Sequence, residues 1–185
     1  LLRRINERRL LEVIQRQGPS SRAMLTRASG LTAPTVSKAI DSLLQRGLVE
    51  ELKPIEQALG RPGKLVGMAS QSGAVLGVVI DTQTCCSIMA GLDGTVTEEQ
   101  TRRFSTPDDY STLIDMIECD CHVLTAGSTG KLHGIGVSVP GLINDRLGEI
   151  VFSPNLRILD KRNPARDLAQ RLGAPCLLIQ ETDAL

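Results

Sequence analysis

Between residues 32 and 38 the sequence gathers side chains that can meet a nucleic acid: Thr32, Ala33, Thr35, Ser37 and Lys38. Small and hydroxylated groups allow close approach to base edges and phosphates, and a lysine adds a contact to phosphate or guanine. Arg22 ahead of them is a candidate phosphate contact. Behind them, Gly60-Arg61-Pro62-Gly63-Lys64 holds Arg61 extended before a proline. Such an arginine suits a narrow minor groove, with Lys64 beside it; the alternative is an ordinary turn with a basic surface. Cys119-Asp120-Cys121-His122 has ligand-type residues. It is a single cluster without a second one, so a structural or incidental role is favoured over a metal site.

The elements that must position the first group are legible. Ile5, Leu10, Val13 and Ile14 lie mostly at helical spacing, and Gly18-Pro19 ends that helix. Ser20-Ser21 offers an N-cap for a short second helix that Gly30 ends. Thr32 is a candidate N-cap for a third helix with Pro34 in its first turn. There Val36, Ile40, Leu43 and Leu44 make one buried stripe, and Gly47 supplies a left-handed cap. Two helices joined by a short turn containing Gly30 have the spacing of a helix-turn-helix. Two short strands, around 48–53 and 64–69, would flank the Gly/Pro-rich stretch as a wing. The whole reads as a winged helix-turn-helix over residues 1–70, with a plain three-helix bundle as the alternative.

Charge agrees with this division. Of 185 residues, 21 Lys/Arg balance 21 Asp/Glu, but residues 1–64 hold 12 basic against 6 acidic and residues 65–185 hold 9 against 15. A basic segment before an acidic one points to a nucleic-acid-binding module joined to something else, although two-domain proteins also reach such asymmetry by chance. Hydrophobic residues at 41% and charged residues at 23% fit a globular chain and exclude disorder. Aromatics at 2% exclude a base-stacking platform for single strands. No apolar run approaches membrane-spanning length, and the basic start lacks the apolar core of a secretory signal. Five cysteines, an odd number without paired spacing, argue against a disulfide framework and for a reducing cytoplasm.

Residues 71–185 read as an α/β layer. Gly77–Asp81 is an apolar run ending in an acid. Residues 87–92, a turn at Asp93-Gly94, and residues 95–104 predict a hairpin. A helix follows over 107–126 with Asp108 and Asp109 in its first turn. Then come a strand over 134–139, a hairpin over 142–152 turning near 145–148, a helix opened by Asn163 or Pro164 and stopped by Gly173, and a strand at 176–179.

Within that layer, G-I-G-V-S-V-P-G-L-I-N at 134–144, F-S-P-N-L at 152–156 and Q-E-T-D-A at 180–184 resemble the sugar-binding half of the ROK family of repressors and sugar kinases. With the winged helix in front, nearly the whole chain resembles the family's repressors. The resemblance implies an incomplete actin-like, ribonuclease-H-like sugar-kinase lobe, so the fold class expected is α/β with an N-terminal all-α winged helix-turn-helix. It also implies sugar contacts at Gly141, Asn155 and Asp183, the last at the position of the kinases' catalytic base. Without the resemblance, Asn155 reads as a turn residue and Asp183 as a helix N-cap. The kinases have two glycines after the acid of their first strand; here Thr82 and Gln83 stand there, and their side chains oppose close approach of a phosphate. Thr182 and Leu185 replace asparagines of the family pattern. The family's second lobe and its zinc site would lie beyond Leu185, and the chain starts on Leu, so a piece of a longer protein is expected, with no cofactor in this part.

The function so implied is a sequence-specific DNA-binding transcriptional regulator, a repressor of sugar metabolism or transport genes, that binds double-stranded DNA as a homodimer under control of a sugar-type effector, in the cytoplasm and away from membranes. The alternatives are an ATP-dependent sugar kinase and a non-catalytic dimerisation or interaction protein.

Overall fold

The computed structural model describes residues 2–52, 64–70, 73–128, 130–144 and 146–183. The chain divides into two compact units, Leu1–Gly73 with Leu92–Gly94, and Ala74–Gly91 with Thr95–Leu185.

The first unit runs α1 (Leu2–Gln17), β1 (Ser20–Ser21), α2 (Arg22–Ser29), α3 (Ala33–Gln45), β2 (Val49–Leu52) and β3 (Leu65–Met68). Each helix ends where a glycine allows it. Gly18, Gly30 and Gly47 have φ of 76°, 66° and 67°, a region that costs other residues side-chain strain. At Gly47 the turn is closed twice, Gly47 N–H to Leu44 O at 3.0 Å and Leu48 N–H to Leu43 O at 3.0 Å, so the last carbonyls of α3 are satisfied. Ser21 caps α2, accepting from the Met24 N–H at 3.3 Å. Thr32 occupies the N-cap position of α3, but its hydroxyl makes no cap bond; it shares a 2.8 Å hydrogen bond with the Thr35 hydroxyl.

Leu10 and Ile14 of α1, Leu25 of α2 and Val36, Ile40 and Leu43 of α3 close one core with Val49 and Val66. Each such fully buried side chain contributes roughly 1.5–3 kcal/mol. Leu44 is only half-buried at the edge of this cluster, so the stripe of α3 is narrower than its spacing predicts. The strands form an antiparallel sheet in the order β1-β3-β2, with Val49 opposite Met68 and Leu52 opposite Leu65.

The second unit is a mixed sheet with order β10-β7-β4-β5-β6, built from β4 (Gly73–Val79), β5 (Thr84–Gly91), β6 (Thr101–Ser105), β7 (Lys131–Val139) and β10 (Cys176–Gln180). Helices α4 (Tyr110–Ala126) and α5 (Pro164–Leu172) pack with it, and β8 (Leu142–Asn144) and β9 (Glu149–Phe152) form a separate hairpin. Strands alternate as a half-buried sheet requires: Ala74, Leu76 and Val78 on β4 and Ile135, Val137 and Val139 on β7 all enter the core that Leu113, Ile114 and Ile117 of α4 cover.

Two local expectations change. The strand expected over 95–104 begins only at Thr101, because Thr97 and Gln100 form a reciprocal capping box that winds Glu98–Gln100 into a 3₁₀ turn. The first pairing of the β5–β6 hairpin is therefore Ile88 with Thr101. Asp108 and Asp109 are not in the first turn of α4; Asp109 is its N-cap, accepting from the Thr112 N–H at 2.8 Å. Those bonds hold its carboxyl below the usual range. On α4, Cys119 faces solvent and Cys121 is buried, so the two thiols point apart. Burial pushes the Cys121 thiol up to about 12. Among the described residues no group of His, Cys, Asp and Glu converges on a metal-sized site, and no helix is long and apolar enough to cross a membrane.

Candidate nucleic-acid interface and effector site

The outward ridge of α3 consists of Pro34, Lys38, Asp41 and Gln45, all exposed, at spacings of four, three and four residues. Of the residues singled out in the sequence, Ala33 and Lys38 are exposed and Thr32 is exposed just before the helix, whereas Thr35 and Ser37 are half-buried on opposite shoulders of the ridge. The shoulder of Thr35 faces α1 across a groove of about 540 Å³ that Arg3 and Asn6 also line. The shoulder of Ser37 faces α2, and its carbonyl accepts from Arg22 Nη1 at 3.3 Å. Sequence reasoning missed Asp41 and Gln45, although the i, i+4, i+7, i+11 series through Lys38 would have found them.

Arg22 is not a free cation. Its Nη2 lies 2.9 Å from Asp41 Oδ1 and 3.8 Å from Glu51 Oε1. Lys64 Nζ in turn lies 2.5 Å from Glu51 Oε2. Two cations and two carboxylates thus join α2, α3, β2 and the start of β3 in a neutral cluster beside the ridge. Lys38, in contrast, has no ion-pair partner among the described residues. Arg61 lies outside the described residues.

In the second unit, three strand ends meet at one edge of the sheet. β10 runs parallel to β7 with Gln180 opposite Val139, and the Ile80 N–H that follows β4 donates to Ser138 O at 2.9 Å. The segments that leave these strands are Asp81-Thr82, Pro140-Gly141 and the 3₁₀ turn Glu181–Asp183. Carboxyl ends of adjacent strands are where open α/β sheets bind ligands. Gly141 has φ of 113°, and a Cβ there would stand 2.5 Å from Phe152 O and 2.9 Å from Ser153 Cα. Only glycine fits between the two segments. Ser153 is fully buried, its N–H donating to Asp160 Oδ1 at 2.7 Å, which fixes the chain entering the exposed turn at Pro154-Asn155.

Gly141 and the segment leading to Asn155 are therefore adjacent. The backbone of Asp183 follows β10 at the same sheet edge; its side chain lies outside the described residues. A separate cleft of about 330 Å³, lined by Ile143, Asn163, Arg166 and Cys176 among others, contains none of the three. At the end of β4, the Thr82 N–H donates to Asp81 Oδ1 at 2.6 Å, and Thr82 and Gln83 are exposed.

A helix-turn-helix with a small antiparallel sheet, followed by a sugar-kinase-like layer whose adjacent strand ends converge, defines a chain of two units. A family model described as ROK family matches residues 75–185, more than half the chain, and one described as MarR family matches residues 3–56. The chain belongs to the ROK family.

It is 30% identical over 190 residues to a xylose repressor of Bacillus subtilis (strain 168), covering 99% of this chain and 48% of that protein. To a xylose repressor of Caldicellulosiruptor bescii it is 27% identical over 190 residues, covering 100% and 47%. The chain spans about half the length of the curated relatives it matches. Among solved structures, a ROK family transcriptional regulator, homolog of the E. coli MLC protein, superposes with TM-score 0.76 at 19% identity over 98% of this chain and 46% of its own. A ROK family glucokinase from Streptomyces griseus, in complex with glucose and AMPPNP, superposes with TM-score 0.52 at 19% identity over 58% and 33%.

Proposed function

We propose that this chain is part of a transcriptional repressor that binds a specific duplex and answers to a sugar-type effector. Residues 1–70 form the DNA-binding domain and residues 71–185 the start of the effector domain. The observation that carries the reading is the exposed ridge of α3, with Lys38, which has no ion-pair partner among the described residues, at its centre, on a helix held by α1 and α2 as a helix-turn-helix requires. In this reading α3 enters the major groove, with Thr32, Ala33, Thr35, Ser37 and Lys38 at its surface. Arg22, Arg61 and Lys64 hold flanking phosphates or the minor groove. Relatives named xylose repressors support the functional class and make xylose the first effector to test.

Gly141, Asn155 and Asp183 are the proposed sugar contacts; a carboxylate accepts two hydroxyls and so serves binding without phosphoryl transfer. The reading is of a protein that is not an enzyme. Thr82 and Gln83 project where the kinases carry glycines, and the Thr82 amide, which a phosphate would need, is already bonded to Asp81. A homodimer in the cytoplasm, with two heads on a palindromic site, completes the proposal.

In vitro selection from random duplexes with the full chain tests it. The expected result is an enriched motif bound more tightly than scrambled duplex, and more weakly as salt rises. Equal affinity for selected and scrambled duplexes defeats the DNA reading. Steady ADP release from ATP with xylose or a hexose, dependent on Asp183, defeats the non-enzymatic one.

A further inference from the structure

We propose that the first two turns of α1 form, with the adjoining shoulder of α3, a strip that holds the phosphodiester backbone of one DNA strand. This rests on the DNA-binding reading and adds a second contacting element to it. The groove of about 540 Å³ between these helices has Arg3 and Asn6 on one wall and Thr35, Lys38, Ser42 and Gln45 on the other. Its carboxylate, Asp41, is engaged by Arg22. At Arg3 and Ser42 it meets a second groove, of about 700 Å³, which Arg4, Arg8 and Arg46 also line.

The strip is built around a buried acid. Glu7 is only 4% exposed, and its two oxygens take one guanidinium each: Arg3 Nε at 3.0 Å from Oε1 and Arg46 Nη1 at 2.9 Å from Oε2. Arg3 Nη2 also donates to Ser42 Oγ at 2.5 Å. Both arginine side chains remain largely exposed, 74% and 56%. One buried negative charge therefore fixes two cations whose remaining N–H groups face solvent, leaving a net positive charge. Arg4 and Lys38 add two more that have no ion-pair partner among the described residues. The first turn of α1 contains no acid to offset its positive helix end.

The cations on this side follow a line. Lys38 on α3 and Arg46 at its C-cap stand eight residues apart with Ser42 between them, a span of roughly 12 Å, about the axial rise of three to four phosphates of one strand. A linear array that continues from one groove into the next suits a strand of phosphates better than a single anion. It lies beside the ridge proposed to read bases, where the flanking backbone would pass.

Fluorescence anisotropy of the full chain with its selected duplex, and with a scrambled one, tests this across a KCl series. Arg4→Ala should weaken both duplexes about threefold near physiological salt and lower the slope of log Kd against log[KCl] by about one, because one phosphate contact is lost. Arg4→Glu, which suits a helix start and so preserves folding, should weaken both further. Arg16→Ala, an exposed cation in the last turn of the same helix, should change neither value. If Arg4→Ala and Arg4→Glu leave affinity and slope as they were while Lys38→Ala weakens binding, the strip is refuted and the DNA reading stands. If the unaltered chain binds no duplex selectively, the DNA reading falls and the strip with it. If Arg16→Ala lowers the slope as much as Arg4→Ala, the effect is general charge and the strip is refuted.

Discussion

Arg22 Nη2 sits 2.9 Å from Asp41 Oδ1, so the carboxylate exposed on the ridge of α3 is neutralised by the helix that precedes it. An unpaired acid at that position would repel a phosphate backbone; the pair lets α3 carry Asp41 without that penalty. The same contact ties α2 to α3 across the turn at Gly30. As both side chains are substantially exposed, the pair contributes at most ~1 kcal/mol to folding.

Arg22→Ala is therefore expected to lower thermal stability slightly and DNA affinity clearly, since it both removes a cation and uncovers Asp41. Asp41→Asn should do the reverse to binding: tighter association with selected and scrambled duplexes alike and a steeper salt slope, as Arg22 is released toward phosphate. Anisotropy titrations at several KCl concentrations measure both.

Lys38→Ala distinguishes two roles. Contact with guanine predicts a loss of about 1–3 kcal/mol confined to one base position of the selected site; contact with phosphate predicts uniform weakening and a slope smaller by about one. Selection repeated with the variant separates these outcomes, and an unchanged motif with unchanged affinity removes Lys38 from the interface.

Gly141→Ala should destabilise the second unit. The new Cβ would meet Phe152 O at 2.5 Å, backbone that cannot step aside as a side chain can, and φ of 113° is itself strained for alanine. Strain of this kind costs roughly 1–3 kcal/mol. Thermal melting followed by circular dichroism should show the loss, and any sugar-induced shift should vanish with it.

The Glu7 carboxyl is drawn upward by burial, but hydrogen bonds from Ser42 and Arg3 and the charges of Arg3 and Arg46 outweigh this and hold it below its ordinary 4.5. A carboxyl depressed in the folded state stabilises fully above its unfolded value, and that stabilisation fades as pH falls through the folded value. Urea unfolding should thus show stability lost below about pH 4.5. Glu7→Gln should be less stable at neutral pH and lose less on acidification; an acid limb as steep as that of the unaltered chain would exclude Glu7 as a contributor.

The helices of the first unit were legible because their signals are local: Gly18-Pro19, Ser21, Gly30 and Gly47 lie within a residue or two of the ends they determine. Contacts made across long stretches of chain were not. Nothing near Arg22 announces Asp41, nineteen residues on, so the ion pair between them was not foreseen. The strand expected from Thr95 failed for a local reason that was overlooked, since Thr97 and Gln100 bear the residue types of a capping box and turn the chain before it can pair. Gly141 stood out through its resemblance to a family loop, but its steric reason, the backbone of Phe152 and Ser153, appears only when the hairpin is folded. The pairing of Arg3 and Arg46 with Glu7 was missed because the three residues come from two helices in which charged positions look like solvent-facing ones.

That trio also constrains how the sequence can drift. Replacing Glu7 alone would leave two guanidiniums converging without their shared counterion, and replacing Arg46 alone would leave an interior acid half-compensated. Substitution at any of Arg3, Glu7 and Arg46 should therefore come with changes at the others, so that descendants of this chain inherit the trio intact or exchange it wholesale.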